Sequence, residues 1–247
     1  MIQACLNGRR TAQEHPRVPL TPGQLAADAR LARAAGASSV HLHPRDEWGR
    51  ESLDRAVVST AVGAVRRACP GLEVSVSTGL WMYDGDAAAR ERAVAAWAVA
   101  EHRPDVVSLN LGEPGFDRLA GVLGTLGVGV EAGVWSLADA VRLLDSPAAA
   151  TCRRILVEMI ELPTEQALAE ADAVLHRLAE ARLAVPVLLH GEDACAWPVL
   201  DHALALRLDT RIGLEDTLTD PNGHTAEDNA ALVRHAVARL ARRTRAL

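Results

Sequence analysis

Aromatic residues are scarce in this chain. Its 247 residues include one Phe, one Tyr and five Trp. No aromatic cluster can build the interior, so Ala, Val and Leu must fill it. Hydrophobic residues still make up 49% of the chain, enough for a sizeable core. The length suits one large domain over residues 1–247, since single barrels run to about 250 residues. Cysteine is sparse too. Cys5, Cys69, Cys152 and Cys195 form no Cys-x-x-Cys pair and no dense framework, which implies buried free thiols rather than disulfides. No stretch approaches about 20 uninterrupted apolar residues, so no membrane span is expected. The short apolar start runs into Arg9-Arg10, the reverse of a signal peptide, and a cytoplasmic location is expected. Excess positive charge is also missing. The formal net charge is −6, which gives no global drive toward nucleic acid. Arg greatly outnumbers Lys, a bias of composition rather than of function.

What the chain does have is alternation. Short β-branched runs read as strands at Ile2–Leu6, Ser39–His43, Leu72–Ser77, Val106–Asn110, Gly127–Val134, Arg154–Glu158, Val185–His190 and Arg211–Glu215. Ala/Leu/Arg-rich runs between them read as helices at Pro22–Ala35, Leu53–Ala68, Ala87–Ala100, Gly115–Leu123, Leu137–Leu144, Thr164–Ala181, Ala194–Leu206 and Thr225–Arg243. Thr21-Pro22-Gly23-Gln24 fits an N-cap with Pro at the first helical position. Strict βα alternation implies parallel strands with right-handed crossovers. Eight units in this length predict an α/β fold of the (β/α)8 TIM-barrel type, as one domain. No Gly-x-Gly-x-x-Gly follows the first strand, which weakens a dinucleotide-binding alternative.

Barrel active sites collect at the C-terminal strand ends, and here those ends are polar. The second strand closes on His41-Leu42-His43. Residues two apart in a strand share a face, so both imidazoles aim at one point. They form half of a metal site or a pair of structural histidines. Strand 8 neighbours strand 1 in a closed barrel, which brings Glu215 across from them, either as a third ligand that leaves positions open for water or substrate or as a carboxylate paired with Arg211. Zn2+ suits that donor set, with Mn2+, Co2+ or Fe2+ as alternatives. Asp216, one residue on, fits a catalytic base better than a ligand. Arg211, sharing a strand face with Glu215, is placed to tune it or to bind a substrate carboxylate. Ser77-Thr78-Gly79 supplies hydroxyls and a turn for a carboxylate or carbonyl oxygen, or is an ordinary strand-to-helix turn, and Ser108 and Asn110 are co-facial beside it. Glu131 and Glu158 lie toward the axis, paired with arginines or part of the site. His190 is a further ligand, a substrate contact or a hydrogen-bonded core residue. His15, His102, His176, His202, His224 and His235 are expected to be solvated. Trp81, Trp135 and Trp197 line the mouth or pack in the shell.

Several stretches together resemble the β-keto acid cleavage enzymes, among them the 3-keto-5-aminohexanoate cleavage enzyme. They are Asn7-Gly8, Pro16-x-x-Pro19-Leu20-Thr21-Pro22, Gly36-Ala37-x-x-Val40-His41-Leu42-His43-x-Arg45, Val76-Ser77-Thr78-Gly79, Ser108-Leu109-Asn110, Arg211-Ile212-Gly213-Leu214-Glu215-Asp216 and Ala226-Glu227-Asp228-Asn229-Ala230. The resemblance implies a TIM barrel with Zn2+ on His41, His43 and Glu215. It implies Asp216 as base assisted by Arg211, Ser77 and Ser108 near the substrate, and a homo-oligomer, often a tetramer. The reaction it implies joins a β-keto acid to acetyl-CoA and gives acetoacetate and a new acyl-CoA. This chain is short for that family. The segment after Glu158 runs quickly into Thr164, Arg9-Arg10 stand where longer members carry an acidic residue, and Ser108 replaces a common Thr. A CoA-independent metal-dependent lyase or hydrolase of a small keto acid is the alternative activity, and a non-catalytic metal or metabolite binder the alternative from another class.

Overall fold

A computed structural model describes residues 1–245 of the chain. Eight parallel strands, β1 (Ile2–Cys5), β2 (Ser39–Leu42), β3 (Glu73–Ser77), β4 (Val106–Asn110), β5 (Gly129–Val134), β6 (Arg154–Met159), β7 (Val187–Gly191) and β8 (Thr210–Ile212), pair in the order β7-β6-β5-β4-β3-β2-β1-β8. The ring is nearly closed. The last seam is a single parallel bridge between Leu188 and Asp209, with the Leu189 N–H donating to the Asp209 carbonyl at 2.9 Å. Each strand is followed by a helix: α1 (Pro22–Ala34), α2 (Arg55–Ala68), α3 (Ala87–Ala95), α4 (Phe116–Thr125), α5 (Leu137–Asp145), α6 (Thr164–Glu180), α7 (Ala196–Ala205) and α8 (Asn229–Arg245). Thr21 caps α1 as its sequence predicts, in a capping box closed by Gln24. No helix among the described residues is long and apolar enough to cross a membrane.

The apolar core lies between sheet and helices. Period-two alternation sends Ile2, Ala4, Val40, Leu42, Val74, Val76, Val107, Leu109, Ile155 and Val157 outward into it. Aromatic scarcity is met by small and branched side chains against the helices, with Trp97 the largest fully buried residue. The lumen is different. Its middle layer carries Gln3, Ser39, Ser75, Glu131 and Arg154, all buried, where barrels commonly stack branched aliphatics. The layer is tolerated because its groups satisfy one another. Gln3 Nε2 donates to Ser39 Oγ at 3.2 Å and to Glu131 Oε1 at 3.0 Å, while Arg154 Nε meets Glu131 Oε1 at 3.2 Å.

The last helix starts at Asn229 rather than Thr225, and strand 8, the third helix and His15 also differ from expectation. Strand 8 stops at Ile212 rather than running to Glu215. The chain turns at Gly213, whose carbonyl accepts from the Asp216 and Thr217 N–H groups, so Glu215 is presented by a turn and not by a strand face. The third helix ends at Ala95 and continues as a 3-10 turn over Ala96–Val99. His15 is buried, not solvated, with Nε2 2.8 Å from the Ala226 carbonyl. The four cysteines are free and buried.

Candidate functional site

Parallel register builds the site. It places His41 between Cys5 on β1 and Ser75 on β3, Ser77 beside Ser108, and Glu158 beside His190. His43 lies one residue past β2. Asn7 fixes it there, donating from Nδ2 to the His43 carbonyl and accepting from the His43 N–H, each at 2.9 Å. Glu215 arrives from the turn after β8. Its Oε1 lies 3.8 Å from His41 Nε2 and 3.6 Å from His43 Nε2. The chain must pass close to Glu215 at Gly8, where φ is +50° and an added Cβ would sit 2.4 Å from Glu215 Cγ; a side chain there would push the carboxylate aside.

The donor atoms of His41, His43 and Glu215 lie within 4.8 Å of one another, and theirs is the one such cluster among the described residues. Both imidazoles are committed on their other nitrogen. His41 Nδ1 contacts Ser75 Oγ at 3.0 Å, and that hydroxyl donates to Glu131. His43 Nδ1 pairs with Glu51, which also accepts from Trp81 Nε1 at 2.9 Å. Such outer partners fix ring orientation at metal sites. Glu215 Oε2 is buried with no partner. Two oriented Nε2 atoms and an orphaned carboxylate oxygen fit a divalent cation.

The two histidines differ electrostatically for a visible reason. Burial pushes His41 down to about 3, with Glu215 opposing and Arg211 adding to the effect. Burial also lowers His43, but Glu215 and Glu51 outweigh it and hold its value at about 9. His43 has a second carboxylate behind it, whereas His41 has a hydroxyl. Burial alone would raise the Glu215 carboxyl; Arg211, His41 and His43 hold it well below the usual carboxylate range.

Asp216 is buried beside this cluster. Its Oδ1 accepts from Arg211 Nη2 at 3.1 Å and lies 3.4 Å from His190 Nδ1, while Oδ2 has no partner. Arg211 also donates to Glu215 Oε1 at 3.0 Å. His190 Nε2 contacts Glu158 Oε2 at 3.0 Å, and Glu158 Oε1 accepts from Trp135 Nε1 at 3.0 Å. Burial and Arg211 pull the His190 imidazole down, yet its contacts with Asp216 and Glu158 raise it above the ordinary histidine value. The loop after β7 is tied to the same turn: Asp193, at φ +49°, donates its N–H to the Asp216 carbonyl at 2.6 Å.

These residues line a cavity of about 430 Å³ at the C-terminal mouth, together with Arg9, Glu51, Ser77, Trp81, Ser108, Asn110, Trp135, Ile160 and Glu192. Thr78 and Gly79 are not among its lining. The Thr78 hydroxyl donates to the Ser108 carbonyl at 2.5 Å, and Gly79 makes room for the Trp81 ring, which a Cβ would meet at 2.0 Å. Glu131 sits one layer below, and Trp197 donates to the Thr219 carbonyl away from the mouth. Glu51 and Ile160 carry no sequence signal of a role. Glu51 reaches His43 only because the loop folds back through an Arg45–Glu51 bridge.

The defining pattern of the beta-keto acid cleavage enzymes matches residues 1–247. The chain belongs to that family. Among its relatives is the 3-keto-5-aminohexanoate cleavage enzyme of Fusobacterium nucleatum, 36% identical over 80 residues, which are 32% of this chain and 29% of that protein. Another is the 3-oxoadipate:acetyl-CoA acetyltransferase of Cupriavidus necator, 31% identical over 104 residues, 42% of this chain and 34% of that protein. The matched stretches thus span about a third of these relatives. The barrel of ObcA, solved as a ternary complex with a C4-CoA adduct and oxalate, superposes with a TM-score of 0.75 at 20% identity, covering 93% of this chain and 65% of that one. For this member of the β-keto acid cleavage enzyme family, the cavity with its three donors and buried carboxylate is the candidate active site.

Proposed function

We propose that the chain is a metal-dependent β-keto acid cleavage enzyme that uses acetyl-CoA and releases acetoacetate and a new acyl-CoA. The observation that carries this reading is the pair of unpartnered buried oxygens on consecutive residues, Glu215 Oε2 and Asp216 Oδ2, beside His41 and His43. Glu215, whose Oε1 lies 3.8 and 3.6 Å from the His41 and His43 Nε2 atoms, completes a ligand set; Asp216 Oδ2 is left to accept a proton. The curated relatives, one of them an acetyl-CoA acetyltransferase of a keto acid by name, support it.

His41, His43 and Glu215 would hold the cation, with Zn2+ the best match to two imidazoles and a carboxylate. A cation bound there supplies Lewis acidity to the keto and carboxylate oxygens of the substrate. Asp216 takes the proton from the carbon between those groups. Arg211 holds its Oδ1, with His190 Nδ1 3.4 Å away, leaving Oδ2 as the acceptor. Ser77, Ser108 and Asn110 bind substrate oxygens from the β3–β4 side. The bonds balance. The deprotonated carbon joins the acetyl carbon as CoA thiolate leaves, and the thiolate adds to the substrate's keto carbon. The bond between that carbon and the new acetoacetate unit then breaks, and Asp216 returns the proton. All 26 basic residues are arginine, so no lysine is present to form a Schiff base with the keto group, the covalent route to such cleavage.

One observation favours a CoA-independent lyase or hydrolase as the second reading: only residues 160–163 link β6 to α6, a short wall for a large cosubstrate. Incubation of the Zn2+-loaded protein with β-keto acids, with and without acetyl-CoA, separates the two. Acetoacetate formed only with acetyl-CoA is the expected result. Keto acid breakdown in its absence establishes the second reading. The family reading also carries a homo-oligomer, which mass measurement in solution checks.

A further inference from the structure

The metal ligands come from β2 and from the turn after β8, with β1 between them. The strand diametrically opposite β1 in this ring of eight is β5. A substrate chelated at the ligands therefore points its far end toward the exits of β5 and its neighbours. Those exits carry Trp135 just past β5 and Ile160 just past β6, flanked by Trp81 past β3, and all three line the cavity. Each indole has a single donor, and both are spent. Trp135 Nε1 donates to Glu158 and Trp81 Nε1 to Glu51. Trp81 is held further by stacking on His43, with ring centroids 6.2 Å apart at 24°. The rings thus offer faces, not hydrogen bonds.

Charge at the mouth is paired off: Arg9, past β1, lies 3.7 Å from Glu192 past β7 and 3.6 Å from Glu161, the residue after Ile160. Glu51 and Glu158, the acids nearest the tryptophans, are taken up by His43 and by His190.

We infer that the group carried beyond the substrate's keto carbon is an uncharged apolar chain seated against Trp135, Ile160 and Trp81. This rests on the β-keto acid reading above and names the substrate class within it. A terminal ammonium or carboxylate reaching this half-exposed wall would find the nearby carboxylates and the Arg9 guanidinium already paired. An alkyl chain gains roughly fourfold in binding for each methylene buried.

The test uses three β-keto acids of six carbons: 3-oxohexanoate, 6-amino-3-oxohexanoate and 3-oxoadipate. With Zn2+ and acetyl-CoA, kcat/KM is expected to favour 3-oxohexanoate by about tenfold or more over each charged analogue. Ile160→Arg should move the ratio toward 3-oxoadipate by about tenfold. A wild type that prefers or equals either charged acid overturns the inference, as does an unchanged ratio in the variant. Should none of the three turn over, acyl transfer from these acids fails as a reading. The side-chain inference is then decided by binding, followed as tryptophan fluorescence of the Zn2+-loaded protein. Tighter binding of 3-oxohexanoate sustains it, and equal or weaker binding overturns it.

Discussion

The middle of the barrel lumen and its C-terminal mouth both bury several charges, but they treat them differently. In the middle, Glu131 accepts from Gln3, Ser75 and Arg154, and Arg154 also reaches Glu73. Every carboxylate oxygen of Glu131 has a donor. At the mouth, Arg211 reaches Glu215 and Asp216, yet one oxygen of each remains buried and unpartnered. Buried polar groups are normally satisfied, and an exception calls for an explanation. The same residue types thus serve two ends. Fully paired, they hold the strands in register; left incomplete, they wait for a cation and a proton. Ser75 joins the two layers, since it touches both His41 and Glu131.

The sharpest break of this contrast is removal of a ligand. His41→Ala or Glu215→Ala should abolish both bound zinc and activity in a folded protein; metal analysis of purified protein checks it, and full occupancy in either variant would sink the ligand assignment. Asp216→Asn should keep the metal while lowering kcat by about 10³-fold, so zinc content and turnover part company. The middle layer answers in the other currency. Glu131→Leu takes an acceptor from Gln3 and Ser75 and one of two carboxylates from Arg154, which keeps Glu73; it should cost about 2–4 kcal/mol, which thermal unfolding reads as a Tm lowered by about 10 °C.

A smaller, graded effect comes from pH. His43 is held at about 9, above its ordinary value. Its protonated form therefore stabilises the metal-free fold below pH of about 6.5, and that contribution is lost as pH rises toward 9. A cation must displace the same proton. Metal-free stability should then fall between those values while apparent Zn2+ affinity rises, by up to about tenfold per pH unit. Denaturation and metal titration at matched pH values test both. Affinity independent of pH across that window would show that His43 binds no proton there.

Much of the fold was legible because periodicity is local. Alternating apolar residues marked all eight strands, and Val106–Asn110 kept its ends, as did the capped start of α1 at Pro22. The least legible strand was the last. Arg211 to Glu215 reads as continued alternation, but Gly213 turns the chain, and Glu215 reaches the histidines from that turn. His41 and His43 were legible as a pair because strand spacing alone aligns them. Glu51 was not: an isolated acid in a loop acquires meaning only when an antiparallel bridge folds it back onto His43. Thr78 was legible as a hydroxyl at a strand end, yet its hydroxyl donates to the Ser108 carbonyl instead of facing the cavity.

By itself, then, the sequence determined what depends on neighbours along the chain: the βα repeat, the facing of His41 and His43, and the adjacency of Glu215 and Asp216. Tertiary structure decided which charges are complete. Whether a buried carboxylate is paired depends on donors from strands far apart in sequence, as Glu131 and Asp216 show, and parallel register is what brings those donors near or leaves them out of reach.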